Sequence, residues 1–380
     1  MKIIQISPLV EAEANGPSYS VPALCAALTR LGHSVTLMTV SSAPSARSFS
    51  FEYRSYPQLG RSNQLLWSPG LARALISDGS QADIIHNHNI WGFPPIYAAQ
   101  AANRNSKPLV VAPRGTFSPI ALERSRYKKK IFWTVLQRKS IMSASCLQAT
   151  SEQEFEDIRS FGLRTPIALI PNGIDVLERP ILGSREAVRA RRVLYLGRIH
   201  PIKGLENLLI AWDSVSRKHP AWELRLVGPD EQRHRTVLEA LAKRLRLPRV
   251  TFCGPVFGEH KTREFAEADL CILPSFSENF GMVVAEALAH AVPVITTTRT
   301  PWSGLVGEQA GWWIAPEPSA IAAALDDAFS KPAGDLESMG CRGEKWMRRD
   351  FSWDAIGRSM VELYQWLLLG DTKPSFVRTE

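Results

Sequence analysis

Two glutamates eight residues apart, Glu278 and Glu286, are the strongest candidates for chemistry in this sequence. Glu278 stands just before a predicted helix that starts near Gly281. Glu286 lies inside that helix, roughly 12 Å further along its axis. Carboxylates so placed can bind hydroxyls at opposite ends of one extended ligand, while free amides at the helix start face an anion between them. A sugar, a diphosphate and a ribose would fit in that order. The alternative is that both glutamates are ordinary helix-surface residues.

Two cations, Arg198 and Lys203, lie in a loop bounded by Gly197 and Gly204, directly after a predicted strand. Loops at the carboxyl ends of parallel strands are where such sheets bind ligands. Both side chains could pair with phosphate oxygens and stabilise a departing diphosphate. The alternative is two solvated surface cations, but the glycines on either side and Pro201 within the loop favour function.

A further glycine, Gly16, follows the first predicted strand in the run Glu13-Ala14-Asn15-Gly16-Pro17. A glycine there would let a ligand approach the N-terminus of the next helix closely. The run lacks the G-x-G-x-x-G pattern of dinucleotide-binding proteins. A tight turn without a ligand is therefore the alternative.

Two histidines, His86 and His88, end another predicted strand, and strand alternation places both on one side. Histidines near the end of a sheet are often structural. A metal site would need a third ligand, and no residue at a recognisable spacing supplies one. The residues alone therefore favour a structural role for these histidines over a metal site.

The elements that position these residues are short, almost continuously apolar runs alternating with helical patterns, which is typical of parallel strands buried on both faces. Such alternation indicates βαβ units. We predict strands at Lys2–Ser7, Ser34–Val40, Asp83–His88, Leu109–Pro113, Ser145–Thr150, Ile167–Pro171, Arg192–Leu196, Glu223–Val227, Val250–Cys253, Leu270–Pro274, Val292–Thr297 and Gly311–Ala315. The polar stretch Val176–Arg191 is predicted to link the two halves.

Composition fits two globular domains, because the chain has 380 residues of which 45% are hydrophobic. The five cysteines are scattered and include no C-x-x-C pair, which favours a reducing compartment. We expect neither a signal peptide nor a membrane-spanning helix, since no apolar run approaches about 20 residues. The sequence therefore predicts a cytoplasmic protein.

The net charge of +8 is partly concentrated in a basic helix predicted over residues 124–139, where Tyr127, Phe132 and Trp133 alternate with seven cations. A solvated helix surface is one interpretation. Peripheral contact with an anionic membrane is another, because aromatic residues among cations suit an interface. Nucleic acid ranks third, since no recognition motif accompanies the charge, and we expect no nucleic-acid partner.

Taken together, these motifs resemble the retaining glycosyltransferases of family 4, which have the GT-B fold. Besides the E-x7-E pair and the G-R-x-x-x-x-K-G loop, the resemblance includes Ile170-Pro171-Asn172-Gly173-Ile174-Asp175 and Phe351-Ser352-Trp353. Residues 112–116 and the basic helix look like members that act in bacterial exopolysaccharide or O-antigen assembly. The resemblance implies two Rossmann-like, doubly wound α/β domains facing each other across a cleft. These would be an acceptor-side domain (1–175), a donor-binding domain (176–355) and a last helix (356–380) that packs back on the first domain.

The resemblance also implies a role for each matching residue. Glu278 would bind the donor sugar's hydroxyls, His88 would face the transferred sugar, and Arg198 and Lys203 would stabilise the leaving diphosphate. Glu286 would hold the ribose hydroxyls. Further donor-binding positions would be Gly16, Gly197, Val256, Asn279, Phe280, Gly281, Met282 and Val283, and the acceptor side would include Asn15, Arg114 and Gly115. Many members have two glycines where this chain has Asn15-Gly16, and we expect the turn to survive because Asn tolerates left-handed backbone.

The reaction implied by the resemblance is transfer of a hexose, with retention, from a nucleotide diphosphate sugar to a hydroxyl of a saccharide or lipid-linked saccharide. No D-x-D triplet is present, so we expect no metal and no cofactor, with cations and a helix end in place of a divalent ion. Two alternatives stay open. One is a sugar-nucleotide epimerase of the same fold, and the other is a non-catalytic subunit of a polysaccharide assembly complex.

Overall fold

The computed structural model of the protein describes residues 1–8, 16–41, 48–60, 65–123, 125–176 and 190–379. The chain forms two compact units. The first unit comprises Met1–Gly173 and Trp353–Glu380, and the second comprises Ile174–Ser352. The predicted boundaries lie two and three residues later in the chain. Most of the predicted linker, together with Asn15 and Arg124, lies outside the described residues.

Each unit is built on one sheet. The strands are β1 (Lys2–Ser7), β2 (Ser34–Val40), β3 (Glu52–Tyr56), β4 (Ile84–His88), β5 (Leu109–Ala112), β6 (Cys146–Ala149), β7 (Ile167–Leu169), β8 (Arg191–Leu196), β9 (Trp222–Val227), β10 (Val250–Cys253), β11 (Leu270–Leu273), β12 (Val294–Thr297), β13 (Gly311–Ile314) and β14 (Val377–Arg378). The first sheet has the order β14-β7-β6-β5-β4-β1-β2-β3, and the second has the order β10-β9-β8-β11-β12-β13. All pairings are parallel except that of β14 with β7.

Helices cover the sheets. They are α1 (Gly16–Arg30), α2 (Pro69–Gly79), α3 (Pro94–Asn105), α4 (Pro119–Glu123), α5 (Arg126–Phe132), α6 (Arg138–Met142), α7 (Glu152–Ser160), α8 (Leu205–Ser216), α9 (His234–Arg244), α10 (Gly258–Ala266), α11 (Met282–Ala289), α12 (Gly304–Gly307), α13 (Pro318–Ser330), α14 (Ala333–Trp346) and α15 (Trp353–Leu369). The last of these, α15, packs against α1 in the first unit, where Gly357 lies close to Ala27 and Leu31. No helix among the described residues has the length and apolar content needed to cross a membrane.

Each sheet reverses its strand order once, and the reversal places the candidate residues. In the first sheet β1 and β4 are neighbours from which the order runs outward in both directions, and in the second sheet β8 and β11 are the equivalent pair. A crevice opens at the carboxyl ends of such a pair, because the following helices cover opposite faces of the sheet. His88 ends β4, the Arg198 loop follows β8, and Glu278 follows β11.

Three strands differ from the sequence predictions. The strands β3 and β14 were not predicted, since β3 is a partly exposed edge strand with polar residues throughout and β14 has only two residues. Arg191, assigned to the linker, is the first residue of β8.

The predicted basic helix is also interrupted. A π-helical turn at Trp133–Gln137 separates α5 from α6. Phe132 and Trp133, assigned to the outer surface, instead pack inward, with their rings 6.3 Å from Phe93 and 4.8 Å from Phe161 respectively. Only Tyr127 of the three aromatic residues is exposed.

Candidate active site

The loop after β8 is held against the loop after β11. The backbone N–H of Phe276 donates to the carbonyl of Ile202 over 2.8 Å. Gly204, which ends the first loop, has a positive φ of 67°, and a Cβ there would overlap the carbonyl oxygen of Pro274. Glycine is therefore required at Gly204 both for its backbone conformation and for this close approach.

Lys203 and Glu278 form a largely buried ion pair between these two loops. Their side chains are only 12% and 13% exposed. The same carboxylate oxygen of Glu278 accepts a hydrogen bond of 2.7 Å from Ser275 Oγ. The structure thus brings together two residues that the sequence places 75 positions apart, and it holds both charges in a site of low exposure.

The start of helix α11 lies beside this pair. Gly281 caps the helix with a φ of 77°. The preceding residue, Phe280, is buried, and its carbonyl accepts a 2.5 Å hydrogen bond from Trp302 Nε1. By helix geometry the amides of Met282 and Val283 have no carbonyl partner inside the helix, so they can face an anion. Asn279 lies in the loop between Glu278 and Phe280.

Glu286, on the same helix, is paired with a cation that was not predicted from the sequence. Lys261 of α10 places its Nζ 2.6 Å from Glu286 Oε1. The side chain of Glu286 is mostly buried, whereas that of Lys261 is about one-third exposed. Lys261 neutralises a carboxylate that would otherwise lie unpaired near the helix. Val256, in the loop before α10, packs against the core of the second unit.

Arg198 is the most exposed cation of the predicted set. Its Nη1 donates to Glu231 Oε2 over 2.9 Å, and its carbonyl accepts a 2.7 Å hydrogen bond from the hydroxyl of Tyr195. Gly197, just before it, lies against Gly228, where a Cβ would overlap the carbonyl oxygen of Gly197. The loop after β8 is therefore fixed on a second side by the loop after β9.

In the first unit, a buried chain of hydrogen bonds surrounds the two histidines. Arg114 Nη2 lies 2.9 Å from His88 Nδ1, and because a guanidinium can only donate, Nδ1 must accept. His88 Nε2 therefore carries the proton and donates to Gln5 Oε1 over 2.7 Å. Gln5 Nε2 donates to the hydroxyl of Tyr364 over 3.0 Å, which in turn lies 2.7 Å from His86 Nδ1.

Both imidazoles are neutral near pH 7. Burial, together with the charge of Arg114, lowers the pKa of His86 to about 3. Burial, with His86 and Arg114 adding to it, lowers the pKa of His88 well below its usual value. His88 is thus suited to positioning and hydrogen bonding, and a charged imidazolium is not available for acid catalysis near neutrality.

These shifts predict how stability depends on pH. Below about pH 6.5 the two histidines take up protons in the unfolded chain but not in the folded one, so the free energy of unfolding falls as pH is lowered. Each contributes up to about 1.4 kcal/mol per pH unit. Urea unfolding at pH 7, 6 and 5 measures the slope. His86→Gln should reduce it by about one proton, and an unchanged slope in that variant would contradict the assignment.

Arg114 and Gly115 adopt left-handed backbone, with φ of 60° and 74°. Gly115 N donates to Glu154 Oε1 over 2.6 Å. Arg114 Nη1 also donates to the side-chain oxygen of Asn172, and burial lowers the pKa of Arg114 to about 10, which leaves it charged. A non-glycine residue held in this conformation by its surroundings is frequent at functional sites.

The predicted residues fall into two groups, one in each unit. The second unit holds the donor group of Gly197, Arg198, Lys203, Val256, the run 278–283 and Glu286. The first unit holds His88, Arg114, Gly115 and Gly16, which begins α1, while Asn15 falls outside the described residues. No cluster of three or more potential metal ligands is found within the described ranges.

The partners that complete both groups, namely Gln5, Tyr364, Glu154, Glu231 and Lys261, were not predicted. Each lies far from its partner in the sequence, by 278 positions for His86 and Tyr364. A hydrophobic period places Tyr364 on the buried face of α15, but only the fold shows which strand that face covers.

Two family models match the chain. "Glycosyltransferase Family 4" matches residues 14–177, and "Glycosyl transferases group 1" matches residues 190–331. Together the matches include both groups of candidate residues. The chain belongs to glycosyltransferase family 4. The family predicted from the motifs is confirmed.

Relatives of this chain include enzymes that are named for different activities. A glycogen synthase of Mycobacterium tuberculosis is 27% identical over 64% of this chain and 58% of its own. A D-inositol 3-phosphate glycosyltransferase of Nocardia farcinica is 30% identical over 57% of this chain and 51% of its own. A GDP-mannose:cellobiosyl-diphosphopolyprenol alpha-mannosyltransferase of Xanthomonas oryzae is 26% identical over 63% of this chain and 62% of its own. The alignments thus span between 51% and 62% of the length of these relatives.

Solved glycosyltransferase structures share the fold over nearly the full chain. Sucrose-phosphate synthase of Thermosynechococcus elongatus has a TM-score of 0.70 at 22% identity, covering 97% of this chain and 100% of its own. Anabaena HepE in complex with UDP and glucose has a TM-score of 0.72 at 19% identity, covering 96% and 99%. At these identities the likeness bears on the fold, and the predicted GT-B class with its Rossmann-like domains is confirmed.

Proposed function

We propose that the protein transfers a hexose, with retention at the anomeric carbon, from a nucleotide diphosphate sugar to a hydroxyl of a saccharide or lipid-linked saccharide. The observation that supports this most is the buried Lys203–Glu278 pair beside the start of α11, with Arg198 in the same loop as Lys203. Cations and free amides at one switch point suit a diphosphate, and a neighbouring carboxylate suits sugar hydroxyls.

In the proposed mechanism the second unit binds the donor. Glu278 accepts hydrogen bonds from the sugar hydroxyls, and Glu286 accepts them from the ribose. Arg198, Lys203 and the amides of Met282 and Val283 hold the diphosphate. As the bond between sugar and phosphate breaks, negative charge grows on the leaving oxygen, and preorganised donors stabilise that charge without rearrangement.

The first unit is proposed to bind the acceptor. Arg114 and Gly115 belong to the loop at the carboxyl end of β5, where an acceptor would approach. Asn15, which lies outside the described residues, is also proposed for the acceptor side. His88 is proposed to orient both the transferred sugar and the Arg114 guanidinium. It would do so as a neutral imidazole, in keeping with the lowered pKa of His88. No proton transfer is assigned to it.

A screen of nucleotide diphosphate sugars would identify the donor sugar and its nucleotide base. UDP-glucose and GDP-mannose are natural first choices, because one related structure holds UDP and glucose and one relative is named for GDP-mannose. Release of nucleotide diphosphate that depends on a saccharide or lipid-extract acceptor supports the transferase. Release without any acceptor supports the epimerase alternative, and failure of UDP and GDP to bind in calorimetry supports a non-catalytic subunit.

Two further measurements test whether the reaction needs a metal ion and whether it retains the configuration of the anomeric carbon. Turnover that persists in excess EDTA supports cationic side chains as the only stabilisers of the leaving group, and loss of turnover contradicts it. The proton NMR coupling of the anomeric hydrogen in the first product formed distinguishes retention from inversion.

We propose a cytoplasmic location from the state of the cysteines, and a membrane contact from the charged surface of the first unit. All five cysteines are unpaired, which suits a reducing cytoplasm. We further propose a peripheral contact with the inner membrane face through a basic surface, defined as the exposed residues of 126–142. Its cations are Arg126, Lys128, Lys130, Arg138 and Lys139.

The basic surface also carries an apolar stripe. Tyr127, Ile131 and Val135 recur every four residues and are 83%, 67% and 72% exposed. An apolar stripe flanked by cations inserts at the headgroup level, and each cation near an anionic surface adds about 1 kcal/mol. The stripe and the flanking cations therefore favour an anionic bilayer over a neutral one.

Ile131→Asp should weaken binding to vesicles of 30% phosphatidylglycerol in phosphatidylcholine by about tenfold or more. The substitution replaces an apolar side chain that would insert into the bilayer with a negative charge that the anionic lipid repels. Co-sedimentation at low salt measures the bound fraction. Val237→Asp, on an exposed position of α9, is the matched control and should bind as the wild type does. Equal binding to pure phosphatidylcholine, or no effect of Ile131→Asp, would overturn the membrane contact.

A further inference from the structure

Arg198 is paired with a carboxylate that has no place in the proposed donor site. Its Nη1 lies 2.9 Å from Glu231 Oε2, with side chains 50% and 39% exposed. Within the described ranges, Glu231 is the one carboxylate with which Arg198 forms an ion pair. Because Arg198 is proposed to bind the diphosphate, Glu231 holds a group that the ligand also needs.

Backbone hydrogen bonds hold the loop that carries Arg198 against the loop that carries Glu231. Ile199 N donates to Pro229 O over 2.8 Å, and Glu231 N donates to Ile199 O over 3.1 Å. A further contact of 3.3 Å joins Gln232 Nε2 to His200 Nε2. Two flexible surface side chains rarely keep one geometry, but here both residues stand on loops that are hydrogen-bonded to each other on either side of the ion pair.

The neighbouring acidic groups are committed elsewhere. Asp230 Oδ1 accepts from Arg235 N over 3.0 Å at the start of α9. Glu278 is paired with Lys203, and Glu286 with Lys261. Glu231 is therefore the carboxylate that a ligand anion would have to displace from Arg198, and its exposure leaves it free to swing into water.

We propose that Glu231 sets the affinity of the enzyme for its donor and for the nucleotide diphosphate product, by occupying Arg198 in the free state. This inference rests on the proposed function, in which Arg198 contacts the diphosphate. Binding exchanges one anion for another on the same guanidinium, so the measured affinity is the difference between the two pairings. Glu231 acts through Arg198 and is a positioning residue.

Glu231→Gln should therefore bind nucleotide diphosphate more tightly. An exposed pair contributes a modest free energy, which corresponds to a decrease of about two- to fivefold in Kd. The KM for the donor should fall with it. The gain should shrink as salt rises from 50 to 500 mM, since screening weakens the competing pair in the wild-type protein.

Calorimetry with UDP and GDP on the full chain tests this, alongside the donor KM. Glu239→Gln is the matched control, because it removes another exposed glutamate–arginine pair of the second unit, that of Glu239 with Arg235 at 2.7 Å. It should leave Kd unchanged. In an Arg198→Ala background, Glu231→Gln should have no effect, which a general change in surface charge would not produce.

Two results would overturn the inference. Weaker binding by Glu231→Gln would mean that this carboxylate contacts the donor itself, and equal binding would mean that it does not compete. Both are distinct from failure of the proposed function, in which the wild-type protein would bind neither nucleotide.

Discussion

Lys203→Met is expected to lower kcat by about 10²–10³-fold. In our account Lys203 donates to the departing diphosphate, and loss of one preorganised donor to a developing oxyanion has costs of this size. Methionine keeps the unbranched apolar stem and removes the ammonium group, with its charge and its donors. The donor KM should change less than kcat, because the interaction strengthens as charge builds on the leaving group.

The substitution also leaves Glu278 without its cation in a mostly buried position, so some loss of thermal stability is expected as well. Rates must therefore be measured at a temperature where circular dichroism shows the variant folded. Lys243→Met, at an exposed position of α9, is the matched control and should keep wild-type turnover. Wild-type kcat in folded Lys203→Met would remove this residue from the mechanism.

Glu286→Ala is expected to raise the donor KM by about 10- to 100-fold, with kcat close to that of the wild type. A hydrogen bond to a charged group contributes about 1.5–3 kcal/mol, and in our proposal the ribose keeps its contacts with Glu286 throughout the reaction. Equal binding of ground state and transition state affects KM rather than kcat. Lys261 loses its partner, but it is partly exposed and can be solvated.

A donor that lacks a ribose hydroxyl gives an independent test of the proposed contact between Glu286 and the ribose. The 2′-deoxy analogue of the best donor already lacks one ribose hydroxyl, so Glu286→Ala should cost it less than it costs the normal donor. Glu239→Ala should affect neither donor. An equal loss for both donors would place the contact of Glu286 elsewhere on the ligand.

The sequence predicts the strands that are buried on both faces, because apolar β-branched runs are locally encoded. The runs at β1 and β2 match in both bounds. It does not predict β3, whose residues are all at least partly exposed and pair with β2 alone. An edge strand depends on its neighbour for stability, so its own composition carries little signal.

The same distinction holds in the site. Arg198, Lys203, Glu278 and Glu286 stand out because glycines and helix signals surround them. Their partners Glu231 and Lys261 do not, because an ion pair across two loops leaves no local pattern. Phe132 and Trp133 are the opposite case, because a local pattern was present and the interpretation drawn from it was wrong. Their position among cations suggests an interface, whereas the π-helical turn that begins at Trp133 accompanies their packing onto Phe93 and Phe161.

The central claim is that a diphosphate binds where Arg198, Lys203 and the start of α11 meet. A crystal structure of the protein with UDP or GDP, whichever calorimetry selects, tests it most directly. We expect phosphate oxygens within about 2.7–3.2 Å of the Lys203 ammonium, the Arg198 guanidinium and an amide of residues 281–283. A nucleotide bound in the second unit with its phosphates away from all three groups would contradict the account.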